Sequence, residues 1–401
     1  MPWPIPVLRP LPEPEPPKWT TWLLLFVVIM LAGAGLVLTL WPQSKTTQSV
    51  DFWLLIVGAP ALVFAATFGI RLAAYERARS RKEAWDRQIA LLTRDWHAWC
   101  RRRQWVSRVN VFLAAGGHAD HWLNDRKRLP VNLDRAVPLG LPFADTPQKW
   151  LTHLLGVVVE RVAKDIAATQ GTLNVRILLD ATTEAALRDG GFDASSEMQR
   201  LLEQIAVAKP LDAQMHAGAG FERLGDWIDQ QWHAPLLLIA AQRIDRAESS
   251  VFSEGAVALW LRPTQADNAA MPADACLFRP MVSDVASLHG DFTKFQEMQC
   301  QPGAQADIWH SGLDGYAQGV VLAAASALRG GHAAQACEVH EHKLDEVAGR
   351  AGPISGWIAL GLAAQAAVNR QRPQIVVSAG GAGSIVIGTV SAGIAGQSEL
   401  V

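Results

Sequence analysis

A chain of 401 residues that is 50% hydrophobic can bury a sizeable core in one large or two ordinary domains. Its formal net charge of −2 excludes a chain that is strongly basic or acidic as a whole. Its four cysteines, Cys100, Cys276, Cys300 and Cys337, are widely separated and lack any CxxC spacing, which excludes a secreted disulfide framework and suits a reducing compartment.

Residues 1–18 form a tail with eight prolines before Lys18, a composition that favours extended polyproline II over a packed fold and reads as a flexible leader, with a docking motif for a proline-reading partner as the alternative. A transmembrane hairpin is expected over 19–74. Trp19 to Trp41 is uncharged and long enough to cross a hydrocarbon core of about 30 Å, and Phe52 to Ala74 carries only Arg71 near its end. Tryptophans 19, 22, 41 and 53 mark the expected interfaces.

A basic segment follows. Residues 71–108 hold eleven Arg or Lys against four acids, so the positive-inside rule places both termini and everything after Ala74 in the cytoplasm, at a bacterial-type inner membrane. Residues 75–108 are expected to be a linker helix running to about Trp105. Trp85, Ile89, Leu92, Trp96 and Trp99 form an apolar seam at spacings of four and three. That seam can pack on the protein's own domain, pair with a second copy or lie along the membrane. Nucleic acid is not expected as a partner, because no nucleic-acid-binding fold accompanies the arginines.

Residues 109–401 alternate strand-like and helix-like runs, which predicts an α/β domain with strands covered on both faces. Strands are expected at 109–115, 174–180, 235–241, 257–261, 374–378 and 385–390, and helices at 150–169, 197–208, 221–232 and 356–367. Residues 267–280, with Pro272 and Pro280, are expected to be loop.

Four motifs in the second half occur in a recognisable order. They are Glu254-Gly255-Ala256-x-Ala258-Leu259, His310-Ser311-Gly312-x-Asp314-Gly315, Gly349-Arg350-x-Gly352-x-x-x-Gly356 and Ser378-x-Gly380-Gly381-x-Gly383-Ser384. Together they resemble the second half of a β-ketoacyl synthase of the thiolase-like superfamily. The resemblance implies a thiolase-like layered α/β fold and a homodimer paired through a sheet edge. It makes His310 and Lys343 the catalytic candidates, and Arg350, Gly380, Gly381, Gly383 and Glu254 the pocket candidates. Arg350 stands where the family's second catalytic histidine is found, and Lys343 lies two residues further upstream than the family's lysine.

The family's acyl-accepting cysteine precedes the Glu-Gly-Ala strand at a strand-to-helix elbow. No cysteine occurs between Cys100 and Cys276, and the corresponding stretch, roughly Met215 to Phe221, has no thiol. A covalent acyl-cysteine is therefore excluded. The expectation is a non-catalytic domain at the membrane that acts as a scaffold or adaptor for a protein partner, for instance at a type VI-like secretion machine. The alternative is a divergent acyl-thioester enzyme of decarboxylase or acyltransferase type.

His332, Cys337, His340 and His342 supply enough ligands for zinc, but on a strand Cys337 would point away from the two later histidines. His118, Asp120 and His121 are half of a metal motif, and Ser195 and Ser196 lack a nucleophile elbow. No phosphate-binding loop or dinucleotide fingerprint precedes a helix, so no cofactor is expected.

Overall fold

The computed structural model describes residues 3–4, 8–42, 46–124, 128–141, 145–218, 220–230, 234–244, 252–263, 275–300, 306–327 and 340–393. They fall into two compact units, residues 5–96 and residues 1–4 with 97–401.

The first unit holds two helices long and apolar enough to cross a membrane, Trp19–Leu40 and the first part of Val50–Cys100. The apolar window of the first has no buried residue, and Leu24, Leu31, Leu62 and Ile70 are each at least two-thirds exposed. Such side chains suit lipid rather than a water-facing surface. Aromatic rings zip the hairpin: Trp22 meets Phe68 at 5.1 Å, Phe26 meets Phe64 at 4.9 Å and Trp41 meets Phe52 at 5.0 Å. The long helix continues as a charged stalk with ladder pairs such as Lys82–Asp86 at 2.7 Å. It stops at Cys100, short of the expected end, and Arg103 opens a strand inside the stretch read as linker helix. In that stretch Gln104, Val106, Val111 and Phe112 are buried, so sheet pairing overrides local helix propensity.

The second unit is a mixed sheet of eleven strands: β1 (Arg103–Phe112), β2 (Leu173–Leu179), β3 (Leu211–Ala217), β4 (Leu236–Gln242), β5 (Gly255–Leu261), β6 (Ala275–Phe278), β7 (Met281–Ser283), β8 (Asp307–Ser311), β9 (Glu341–Lys343), β10 (Gln374–Ala379) and β11 (Ile385–Ala392). Their order is β3-β2-β4-β5-β1-β6-β11-β10-β8-β9, with β7 beside β11. The two halves repeat each other about the β1–β6 junction. Strand β2 is parallel to β3 and β4 as β8 is to β9 and β10, while β4, β5 and β1 run antiparallel as β10, β11 and β6 do. Part of the expected 267–280 loop is thus strand β6, buried between β1 and β11 although prolines flank it in sequence.

Outer helices pack by amphipathic stripes. Pro147–Ala168 is capped by the Thr146 hydroxyl, starts on proline and buries Trp150, Leu151, Leu154, Leu155, Val158, Val159, Val162 and Ile166 at spacings of one, three and four. Helix Ser355–Arg370 is different: twelve of its sixteen residues are buried, all round. Its small residues let it lie between strands of both halves, since Leu259 and Val257 share one core cluster with Val376, Val386 and this helix. The short helix Leu224–Gln230, preceded by a 3₁₀ turn at Phe221–Arg223, joins it there, with Trp227 and Trp357 5.7 Å apart. It replaces the single helix expected over 221–232. The other faces of β2, β4 and β5 belong to a second cluster, under the helices Pro147–Ala168 and Ala194–Gln204. Strands covered on both faces are what the near-continuous apolar runs demand.

Candidate functional site

The strand-to-helix elbow after β3 carries Gly218, Gly220 and Phe221. Gly218 N donates to Leu179 O at 2.5 Å. Gly220 presses on the glycine turn near the end of the chain: a Cβ there would sit 3.3 Å from Gly380 Cα and 3.4 Å from Val386 Cγ2. Phe221 then points into the core with no exposed surface, its ring edge-on to Trp357 at 6.3 Å. Gly356 and Gly388 lack the side chains that would meet its ring at 3.2 and 2.8 Å. The Phe221 ring thus packs into the core behind the elbow.

The third and fourth motifs meet this elbow, where Gly218 faces Ile354, Gly220 faces Gly380 and Phe221 faces Gly356. The Glu254 carboxylate accepts from Leu139 N at 2.8 Å and Ile244 N at 3.3 Å, which fastens two loops. Arg350 is exposed, and its backbone bonds Arg135 O at 2.8 Å and Ser253 N at 2.9 Å. Gly349 before it has φ +89, with Arg135 O and Ser253 Oγ where a Cβ would be. Gly380 N donates to Ser384 O at 2.7 Å, and Gly381–Gly383 form a 3₁₀ turn closed by Ser384 Oγ on Gly381 O at 2.7 Å. Gln242 ties these parts together, donating to Ser253 O at 2.7 Å and accepting from Ile354 N at 2.9 Å.

His310 and Lys343 are brought together, because β8 and β9 are parallel with these two residues in register. Glu341 lies between them, 3.3 Å from His310 Nε2 and 3.8 Å from Lys343 Nζ. The histidine is buried, and burial, then the neighbouring Lys343 charge, pushes its pKa down to about 4. At neutral pH it is therefore uncharged, so the 3.3 Å approach to Glu341 is not an ion pair. Alternation along β8 matters here. Trp309 faces the core that contains Phe221 and Trp357, so His310 faces the opposite side of the sheet.

Two further polar groups lie beside these motifs, Ser378 within the fourth of them and Asp345 outside all four. Ser378, in register with Ser311, is buried next to Gly356, and its hydroxyl has no hydrogen-bond partner. Asp345 accepts from Gly312 N at 2.7 Å and Ser311 Oγ at 3.4 Å, and burial, opposed by these hydrogen bonds, pushes its pKa up to about 6. No sequence signal marks it beyond its place two residues after Lys343.

His332 and Cys337 lie outside the described residues. His340 is exposed while His342 is buried and stacked on Trp309 at 4.3 Å, so these two do not share a site. Among the described residues no cluster of three metal-ligating side chains occurs. The His118 and His121 rings are 6.4 Å apart, and Asp120 accepts from Asn369 at 2.8 Å. Asp193 caps a helix through the Ser195 and Ser196 amides, which gives that pair a structural role. Cys100, Cys276 and Cys300 are away from the elbow, and burial pushes their thiols up to about 12, about 12 and about 11. Two surface hollows, of about 430 and about 300 Å³, are lined around Ser195 and around His118, neither by the four motifs.

No family model matches the sequence, and no curated protein matches it. Solved structures do match. A ketosynthase from module 6 of the bacillaene synthase of Bacillus subtilis 168 shares 10% identity at a TM-score of 0.50, covering 72% of each chain. An oxazolomycin ketosynthase domain from Streptomyces albus aligns at 11% identity and TM-score 0.47 over 73% of this chain and 95% of its own. The 3-oxoacyl-[acyl-carrier-protein] synthase III from Aquifex aeolicus aligns at 12% identity and TM-score 0.44, over 72% and 99%. With its repeated half-sheets and buried central helices, the α/β domain has a divergent thiolase-like fold of the kind found in ketosynthases.

Proposed function

We propose that the chain is a membrane-anchored, non-catalytic thiolase-like domain that acts as a scaffold or adaptor for a protein partner. One observation carries this reading: the elbow stretch from Met215 to Phe221 offers no thiol, and Phe221 at its end is fully buried in the core. The opposite facing of His310 supports it, since an imidazole across the sheet cannot serve chemistry at the elbow. The two apolar helices hold the domain to a membrane, and the arginines that follow favour the cytoplasmic side of a bacterial inner membrane, with both termini inside. An accessory place beside a type VI-like secretion machine fits a tethered adaptor of this kind.

The test is turnover. The chain in lipid nanodiscs, mixed with malonyl and acyl thioesters, is expected to release no carbon dioxide and to leave the thioesters intact. Turnover abolished by His310→Ala would establish instead the divergent acyl-thioester enzyme, the reading that the His310, Glu341 and Lys343 grouping favours.

The scaffold reading includes a homodimer. Among the described residues strand β3 ends the sheet with one side unpaired, held from behind by the Arg176–Asp212 ion pair at 2.8 Å. Edge strands left open invite a second copy. Native mass spectrometry from detergent is expected to give two copies per particle, and a single copy at micromolar concentration would remove the dimer from the proposal.

A further inference from the structure

We propose that the α/β domain carries a binding site for a tryptophan side chain, filled in cis by Trp3, so that the proline-rich segment is a bound strap and not a free leader. Residues 1–4 belong to the same compact unit as residues 97–401. Trp3 is 5% exposed. Its ring meets Trp99 edge-on at 6.2 Å and lies tilted against Phe295 at 5.6 Å. Its indole Nε1 donates to the Pro280 carbonyl at 3.0 Å. A large apolar ring enclosed by aromatic neighbours, with its one donor satisfied, is the arrangement that anchors a peptide.

Contacts that do not involve Trp3 hold the walls of this site. The Arg279 guanidinium lies over the Trp99 ring at 4.0 Å, donates from Nε to Trp99 O at 3.1 Å and pairs with Asp229. Gln299 Nε2 donates to the carbonyls of Cys100 and Arg279, both at 2.8 Å. The pocket is therefore built before its occupant arrives, which lowers the cost of filling it.

The segment behind Trp3 is also ordered. In the unit of residues 5–96, Trp85 Nε1 donates to Arg9 O at 3.0 Å and Arg71 Nη2 to Glu15 O at 3.5 Å. These contacts are six residues apart on the strap and fourteen on the helix. At about 3.1 Å per residue for polyproline II and about 1.5 Å for the helix, the spans are roughly 19 and 21 Å. The match means that this stretch runs extended and antiparallel to the helix. Proline has already restricted its conformations, so less freedom is lost on docking.

The experiment uses the full chain in lipid nanodiscs and a fluorescein-labelled peptide of residues 1–18. The Trp3→Ala chain is expected to bind the peptide with micromolar affinity. Wild type should bind it about a thousandfold more weakly, because its own Trp3 competes at an effective concentration near millimolar. A peptide carrying Trp3→Ala should bind neither chain. Equal binding to wild type and Trp3→Ala, or no binding to Trp3→Ala, overturns the proposal. Hydrogen exchange provides a second readout: residues 97–102 and 292–299 should exchange faster in both Trp3→Ala and Trp3→Phe, the latter losing the bond to Pro280 O and part of the ring packing. Unchanged exchange in Trp3→Ala counts equally against a strap.

Discussion

Replacing Phe221 with alanine is expected to lower the unfolding free energy of the α/β domain by about 3–5 kcal/mol, the range for truncating a fully buried Phe. The ring has no exposed surface, and it lies against Trp357 in a space that Gly356 and Gly388 keep clear. Nothing nearby can collapse readily into the vacancy, because the central helix is itself buried on every side. An elbow that opened onto a substrate pocket would behave otherwise, since a side chain facing an empty pocket contributes little packing. Urea unfolding of the chain in detergent, read by hydrogen exchange at β10, measures the difference. A loss below about 1 kcal/mol would show that the site is open and would remove the main support for a non-catalytic domain. Phe221→Cys gives a companion result. A thiol in that apolar setting, like Cys100 with its pKa pushed up to about 12, has almost no thiolate at neutral pH, so no acyl transfer to it is expected.

The strands legible in the sequence were those buried on both faces. β2, β4 and β5 are short runs of Val, Leu, Ile and Ala whose residues are nearly all buried in the structure. The strands that escaped were of other kinds. β3 is an edge strand with Asp212, Gln214 and His216 in it, and its half-exposed faces leave no clean period. β6 is four residues with a proline close behind, stabilised by two long-range neighbours that no local pattern encodes. β8 carries Asp307, His310 and Ser311 in the fully buried interior, a run with no strand period to detect. That omission touches the site. Gly356, Gly380 and the elbow come together in the fold, but the direction in which His310 points depends on its register in β8, and only pairing with β9 and β10 sets that. Asp345 escaped because its interest comes from burial and from two hydrogen bonds, neither of which has a spacing to detect. The setting of Trp3 left no sequence signal for a similar reason: proline content indicates an extended chain, and the neighbours of Trp3 lie at residues 99, 280 and 295.

The acid response of the fold should show His310 and Asp345 working against each other. The folded-state pKa of His310, about 4, is below its usual 6.5, so between these values the unfolded chain binds the extra proton. Stability from this group is complete above pH 6.5 and is lost as pH falls toward 4, at most about 3 kcal/mol by linkage. Asp345 has the opposite sign. Its folded pKa of about 6 exceeds the usual 3.8, so the folded chain holds the proton more tightly, and its contribution is present at low pH and is lost as pH rises through 6. Between about pH 4 and 6 the two slopes largely offset one another. Asp345→Asn, which keeps an acceptor for Gly312 N, should therefore expose the histidine slope, and His310→Gln should remove it. Urea unfolding at pH 4, 5, 6 and 7 tests this: the stability of His310→Gln relative to wild type should improve by a few kcal/mol between pH 7 and 4. A difference that does not change with pH would mean that His310 titrates normally, as an accessible catalytic histidine would. A pKa near 4 makes the imidazole a weak base and deprives it of a proton to donate at neutral pH. The burial that produces this pKa belongs to a residue serving the sheet, on the side away from the elbow, and so the same measurement bears on whether any chemistry remains in this fold.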